Sequence, residues 1–138
     1  MNDSGATPWR VLVVDDEPGH RLICRIALED DGGFTCVGEA FDGRRAIERA
    51  RELQPDLVVL DLRMPIMDGL EALPHILDAA PGTRVVVWTN EGELQRELAR
   101  ERGANGAVSK LAPARDLVHA LHQVARPRSG AAVAPALG

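Results

Sequence analysis

From Val11 onward the hydrophobic positions fall into two alternating kinds of run. Val11-Leu12-Val13-Val14, Leu57-Val58-Val59-Leu60 and Val85-Val86-Val87-Trp88 are short, continuous and rich in β-branched residues. Apolar runs that do not alternate mark strands buried on both faces, and therefore a parallel sheet. Phe34–Ala40 is a weaker strand, broken by Thr35, Gly38 and Glu39, and Gly106–Ser109 is another. Weak strands suit sheet edges.

Helical periodicity fills the gaps. Leu22, Ile23, Ile26 and Ala27 share one face, and so do Ala46, Ile47, Ala50 and Leu53. Leu70, Leu73, Leu77 and Ala80 repeat at spacings of three and four. Leu94 and Leu98 mark a shorter, more polar helix. Leu117, Val118, Leu121, Val124 and Ala125 mark the last one. Asp68 is placed to cap the third helix, with Glu71 three residues on. Pro74 lies inside that helix and cannot donate to the carbonyl of Leu70, so a kink or a tightened first turn is expected there.

The order is β-α repeated five times. Right-handed crossovers then give a doubly wound α/β fold: a five-stranded parallel sheet, order 2-1-3-4-5, with five helices. Residues 1–8 read as a flexible arm, 9–126 as the folded domain, and 127–138 as a disordered tail or linker rich in Pro, Ala, Gly and Ser.

Composition changes this picture little. The chain has 138 residues, one domain's worth, and 45% of them are hydrophobic. A net charge of −5 argues against direct nucleic-acid binding by this domain. Residues 1–8 lack the apolar centre of a signal peptide, and no apolar stretch reaches the roughly 18 residues of a membrane helix. A cytoplasmic protein with no membrane contact is expected. Cys24 and Cys36 form no ligand motif and read as reduced core thiols. His20, His75, His119 and His122 show no metal-ligand grouping; His119 and His122 read as surface.

In open parallel sheets, ligands bind beyond the carboxyl ends of the strands. The first strand ends in Asp15-Asp16, the third in Asp61, the fourth in Thr89 and the fifth in Ser109-Lys110. Taken singly these residues have bland explanations: Asp15 and Asp16 as helix caps, Asp61 as a turn residue, Thr89 as a cap, Lys110 as a solvated loop lysine. Together they are the parts of a phosphoryl-transfer site. Three close carboxylates must take up protons or hold a cation, and an all-oxygen set favours Mg²⁺ or Ca²⁺. Lys110 would supply fixed positive charge, Thr89 a hydrogen bond, and a carboxylate the nucleophile.

Val13-Val14-Asp15-Asp16-Glu17-Pro18, Asp61-Leu62-Arg63-Met64-Pro65, Met67-Asp68-Gly69, Trp88-Thr89 and Lys110 together resemble the receiver domains of two-component response regulators, over residues 10–125. The segment from Lys110 to Leu117 looks like the branch whose members carry a LuxR-type helix-turn-helix. The resemblance implies that Asp61 is the phosphoacceptor. Asp16 would ligate Mg²⁺ directly, Asp15 mainly through water, and Asp61 and the backbone carbonyl of Arg63 would complete the protein ligands. Thr89 and Lys110 would engage the phosphoryl group. It also implies phosphate from a histidine kinase, a phosphotransfer protein or a small phosphodonor, and a switch on the surface of the fourth helix, fifth strand and fifth helix. The output would be an output domain or an effector protein, with the chain as endpoint or relay intermediate.

Two positions depart from the family pattern. Ala107 stands where Tyr or Phe is usual, and Leu111 where Pro often follows the lysine. Ala107 keeps a second reading open, a pseudo-receiver that binds proteins without phosphorylation. A flavin or dinucleotide enzyme lacks its phosphate-binding glycine motifs here. Arg63 and Glu91, each two residues beyond a site residue, could pair across the rim and shield the acyl phosphate. Leu94, Leu98, Leu117 and Leu121 could leave an apolar patch for a homodimer through the fourth and fifth helices, and core packing explains them equally well. Trp88 is expected at the core edge, where its fluorescence would report on the site.

Overall fold

A computed structural model describes residues 7–125. Most of the expected arm and the whole of the tail lie outside these residues. The elements are β1 (Trp9–Val14), α1 (Pro18–Asp31), β2 (Phe34–Ala40), α2 (Gly43–Leu53), β3 (Leu57–Leu60), α3 (Gly69–Ala79), β4 (Arg84–Thr89), α4 (Glu93–Glu101), β5 (Gly106–Ser109) and α5 (Ala114–Val124). The strands form one parallel sheet, order β2-β1-β3-β4-β5. The two weak strands are its edges, and β2 carries a register shift opposite Val11 and Leu12, as edge strands often do.

The continuous apolar runs are continuous because both faces are covered. Leu12, Val14, Val58, Leu60, Val85 and Val87 face α2, α3 and α4. Val11, Val13, Leu57, Val59, Val86 and Trp88 face the other way, onto α1 and α5. Among the described residues, no helix is long and apolar enough to cross a membrane.

Three expectations are corrected. The first concerns α1, whose apolar set turns outward: Leu22, Ile23 and Ile26 are 47%, 48% and 56% exposed. Cys24 and Leu28 enter the core instead. Arg21 and Arg25 both pair with Glu39 on β2, which fixes the helix in this rotation. Burial would raise the Glu39 carboxyl, but bonds from the two guanidinium groups outweigh it and hold it below its usual range.

The second concerns the tightened first turn expected at Pro74. The helix runs unbroken from Gly69 to Ala79, and its first turn keeps α-type spacing, Ala72 N–H to Asp68 O at 3.0 Å. The Leu70 carbonyl that Pro74 leaves free accepts from Arg102 Nη1, 3.2 Å away at the end of α4. Asp68 does cap α3, accepting from the Glu71 amide at 2.8 Å. The third concerns the four-leucine patch: Leu117 and Leu121 are fully buried, and only Leu94 stands well exposed.

Cys24 is buried, which pushes its thiol up to about 12, and Cys36 is half-buried. His119 and His122 are exposed; His122 also meets Asp31 at 3.0 Å and tilts against Phe34.

Candidate phosphoryl-transfer site

Strand register builds the site. Val14 pairs with Leu60, so the next residues, Asp15 and Asp61, emerge side by side. They do so where the chain order reverses between β1 and β3, the crevice where open α/β sheets bind ligands. The backbone locks them in place: Asp15 N–H donates to Ala40 O at 3.0 Å, and Asp61 N–H to Val14 O at 3.0 Å. Thr89 pairs with Ser109, and Lys110 N–H donates to Thr89 O at 2.9 Å. That contact aims the Lys110 side chain back over the strand ends.

Two glycines let the β3–α3 loop close beneath Asp61. The Gly69 amide donates to Leu62 O at 2.9 Å, and the Gly43 amide to Met67 O at 2.8 Å. A side chain at Gly69 would collide with the Asp61 carbonyl, and one at Gly43 with the Met67 carbonyl. Between them Ile66 is held at φ 69°, in a tight turn closed by Met67 N–H to Pro65 O at 2.7 Å. A β-branched residue at positive φ is strained.

Asp15, Asp16 and Asp61 each offer a carboxylate oxygen, and these lie within 4.8 Å of one another. Asp15 and Asp61 are buried. The Lys110 ammonium spans both, 2.5 Å from Asp15 Oδ2 and 3.2 Å from Asp61 Oδ2. Burial pushes the Asp15 carboxyl up, and the bond from Lys110 only partly offsets it. Asp15 Oδ1 accepts from the Glu17 amide at 2.9 Å. Helix α1 is capped at Glu17 without a side-chain bond, so neither Asp15 nor Asp16 serves as its cap.

A cleft of about 290 Å³ opens beside these groups, lined by Asp16, Glu17, His20, Asp61, Arg63, Asn90, Glu91 and Lys110. Thr89 is fully buried next to it, its hydroxyl accepting from the Glu91 amide at 3.2 Å. Arg63 N–H reaches Asp61 Oδ1 at 3.4 Å. The Arg63 side chain meets Glu91 at 3.5 Å, the pairing expected from their spacing. Trp88 is buried under the rim. Ala107 presents only a methyl group at its own position on β5.

The expected residues thus converge, and His20 joins them unannounced. Its Nδ1 is 3.0 Å from Lys110 Nζ, and its ring meets Trp88 edge-on at 6.0 Å. His20, Cys24 and Leu28 recur every four residues, so the rotation that buries Cys24 and Leu28 also carries His20 over the strand ends. That spacing was the available signal.

The donor set is all oxygen, which fits a hard cation such as Mg²⁺. An enclosed ammonium beside a buried carboxylate and an open cleft can stabilise charge on a transferring phosphoryl group.

Comparison with known proteins points the same way. A family model described as "Response regulator receiver domain" matches residues 11–122. The nitrate/nitrite response regulator protein NarL of Escherichia coli K12 is 38% identical over 123 residues, 88% of this chain. The chain spans 57% of that regulator's length. The receiver domain of a NarL regulator from Mycobacterium tuberculosis superposes with a TM-score of 0.82 at 33% identity, over 89% of this chain and 100% of that one. CheY of Borrelia burgdorferi, solved with CheX, BeF₃ and Mg²⁺, gives a TM-score of 0.82 at 25% identity, over 92% and 96% of the two chains.

Proposed function

Because this chain belongs to the response-regulator receiver family, we propose that Asp61 accepts a phosphoryl group in a Mg²⁺-dependent reaction and that this event switches a two-component signalling pathway. One observation carries the reading: the Lys110 ammonium bridges Asp15 and Asp61 across the strand-end crevice, at the wall of a cleft that admits a donor.

Asp16 and Asp61 would hold Mg²⁺ directly, Asp15 largely through water, with the Arg63 carbonyl as a further ligand. The ion, when bound, neutralises the carboxylates and the phosphoryl oxygens. Asp61 attacks phosphorus, and an O–P bond forms as the donor's P–N or P–O bond breaks. The bonding pair leaves with the donor. Lys110 draws charge from the phosphoryl oxygens. The Thr89 hydroxyl turns from the Glu91 amide to donate to one of them. Arg63 and Glu91 close over the acyl phosphate from the cleft side and slow its hydrolysis.

The phosphodonor is a histidine kinase, a phosphotransfer protein or a small acyl phosphate or phosphoramidate. The domain is residues 9–126, it works in the cytoplasm, and it passes its state through α4, β5 and α5 to an output domain or effector. The likeness of the Lys110–Leu117 segment to the LuxR-type helix-turn-helix branch favours an output of the DNA-binding kind, reached through another domain and not by this one.

The test is intact-protein mass after incubation with phosphoramidate, in Mg²⁺ and in EDTA, for wild type and Asp61→Asn. A hydroxylamine-labile, Mg²⁺-dependent adduct on wild type alone is expected. No adduct on folded protein would refute the reading and favour a phosphorylation-independent binding module.

A further inference from the structure

Lys110 has a third contact that the phosphoryl-transfer scheme leaves unused. An ammonium has three N–H donors and no acceptor. Here all three are engaged: with Asp15 Oδ2 at 2.5 Å, Asp61 Oδ2 at 3.2 Å and His20 Nδ1 at 3.0 Å. The Lys110 side chain is 4% exposed, so few solvent partners compete for it. Facing an ammonium, Nδ1 of His20 must be the accepting nitrogen, which places the ring proton on Nε2. The imidazole is held in turn by the Trp88 ring, 71° from parallel with it. The ammonium lies 5.2 Å from the centre of that same ring. Three stretches of chain, Asp15 to His20, Asp61 and Trp88, thus hold one ammonium.

We propose that His20 is a positioning residue for Lys110, an inference that rests on the reading of Asp61 as phosphoacceptor. Of the three bonds, the one to Asp61 is the longest. When the Asp61 oxygen becomes the bridging oxygen of an acyl phosphate it loses its charge and accepts more weakly. Lys110 then keeps two anchors, Asp15 and His20, and its third N–H is released toward the phosphoryl oxygens. Lys110 gives up no proton in this step. Without the imidazole, Lys110 is held by carboxylates alone, one of them the group that reacts. A role for His20 as a metal ligand is disfavoured, since its Nδ1 is committed to the ammonium.

The experiment uses the full chain with phosphoramidate and Mg²⁺. His20→Leu, which removes the acceptor, is expected to slow adduct formation about tenfold, the equivalent of about 1.4 kcal/mol. His20→Asn, whose Oδ1 can take the place of Nδ1, is expected to recover most of that loss. The Mg²⁺ half-saturation, read from tryptophan fluorescence, should stay within about twofold in both variants; a larger shift would mean that His20 acts on the metal site instead. In EDTA, urea unfolding midpoints of wild type, His20→Leu, Lys110→Met and the double variant should be non-additive. His20→Leu reacting at the wild-type rate, or His20→Asn as slow as His20→Leu, would overturn the proposal. Additive midpoints with normal adduct on wild type would overturn the contact alone. No adduct on wild type would overturn the phosphoacceptor reading and this role with it.

Discussion

Replacing Gly69 by Ala tests how the fold aims Asp61. A Cβ at Gly69 would lie 2.0 Å from the Asp61 carbonyl oxygen, and 2.9 Å from both the Asp61 carbonyl carbon and Leu62 Cα. All three are backbone atoms, so no side chain can swing aside. The Gly69 amide is tied to Leu62 O at 2.9 Å, which holds the two segments together. Since real Cβ atoms keep at least 3.0 Å from such neighbours, the loop must retreat by about 1 Å, and overpacking of this kind costs about 1–3 kcal/mol. A rigid backbone collision belongs at the top of that range, which for a chain of this size lowers Tm by roughly 10 °C. The retreat also drags Asp61, and a misplacement of about 1 Å can cost about 100-fold in rate. Thermal unfolding in EDTA reads the first effect, and the rate of adduct formation from phosphoramidate reads the second. Gly82→Ala is the control: a Cβ there meets nothing within 4 Å, so both readouts should stay near wild type or gain slightly in stability. If Gly69→Ala melted with wild type and took phosphate at its rate, the steric account of the Asp68-Gly69 pair would be wrong.

Ile66 should invert the usual ranking of alanine over glycine: at φ 69°, Ile66→Gly should be the more stable of the two by about 1 kcal/mol in urea unfolding, and alanine coming out ahead would refute the strain. Burial raises the Asp15 carboxyl above its ordinary 3.8, so the native state holds this proton more tightly than the unfolded chain does. The metal-free protein should therefore lose stability from this group as pH rises from about 4 until the native carboxyl is ionised; Asp15→Asn should flatten that part of the curve in EDTA, and an unchanged slope would contradict it. Arg63→Ala removes an ion pair to Glu91 whose arginine is 79% exposed, so stability should change by less than about 1 kcal/mol. The acyl phosphate should nonetheless hydrolyse a few times faster when its mass-resolved decay is followed, and an unchanged decay rate would end the shielding idea.

What could be seen in the sequence is what each stretch of chain decides locally. A run such as Leu57-Val58-Val59-Leu60 is buried on both faces or it would not be apolar throughout, and the first carboxylate after it stands at the rim wherever the strand lies. That is why Asp15, Asp61, Thr89 and Lys110 are legible in the sequence as one rim. What stayed hidden depends on partners far along the chain. Periodicity gives α1 an apolar face, but the direction of that face is set by Glu39 pairing with Arg21 and Arg25. Pro74 frees a carbonyl, but its new donor, Arg102, lies 32 residues from that carbonyl's own residue, Leu70. His20 belongs to the same class, being 90 residues from the lysine it meets. The first and the last of these share one cause on α1. The charged pairing that turns Leu22, Ile23 and Ile26 outward is the same rotation that buries Cys24 and Leu28 and brings His20 to Lys110. A charge substitution at Glu39, on the sheet edge and outside the phosphoryl-transfer site, should therefore disturb Lys110 through the rotation of α1 rather than through its own field.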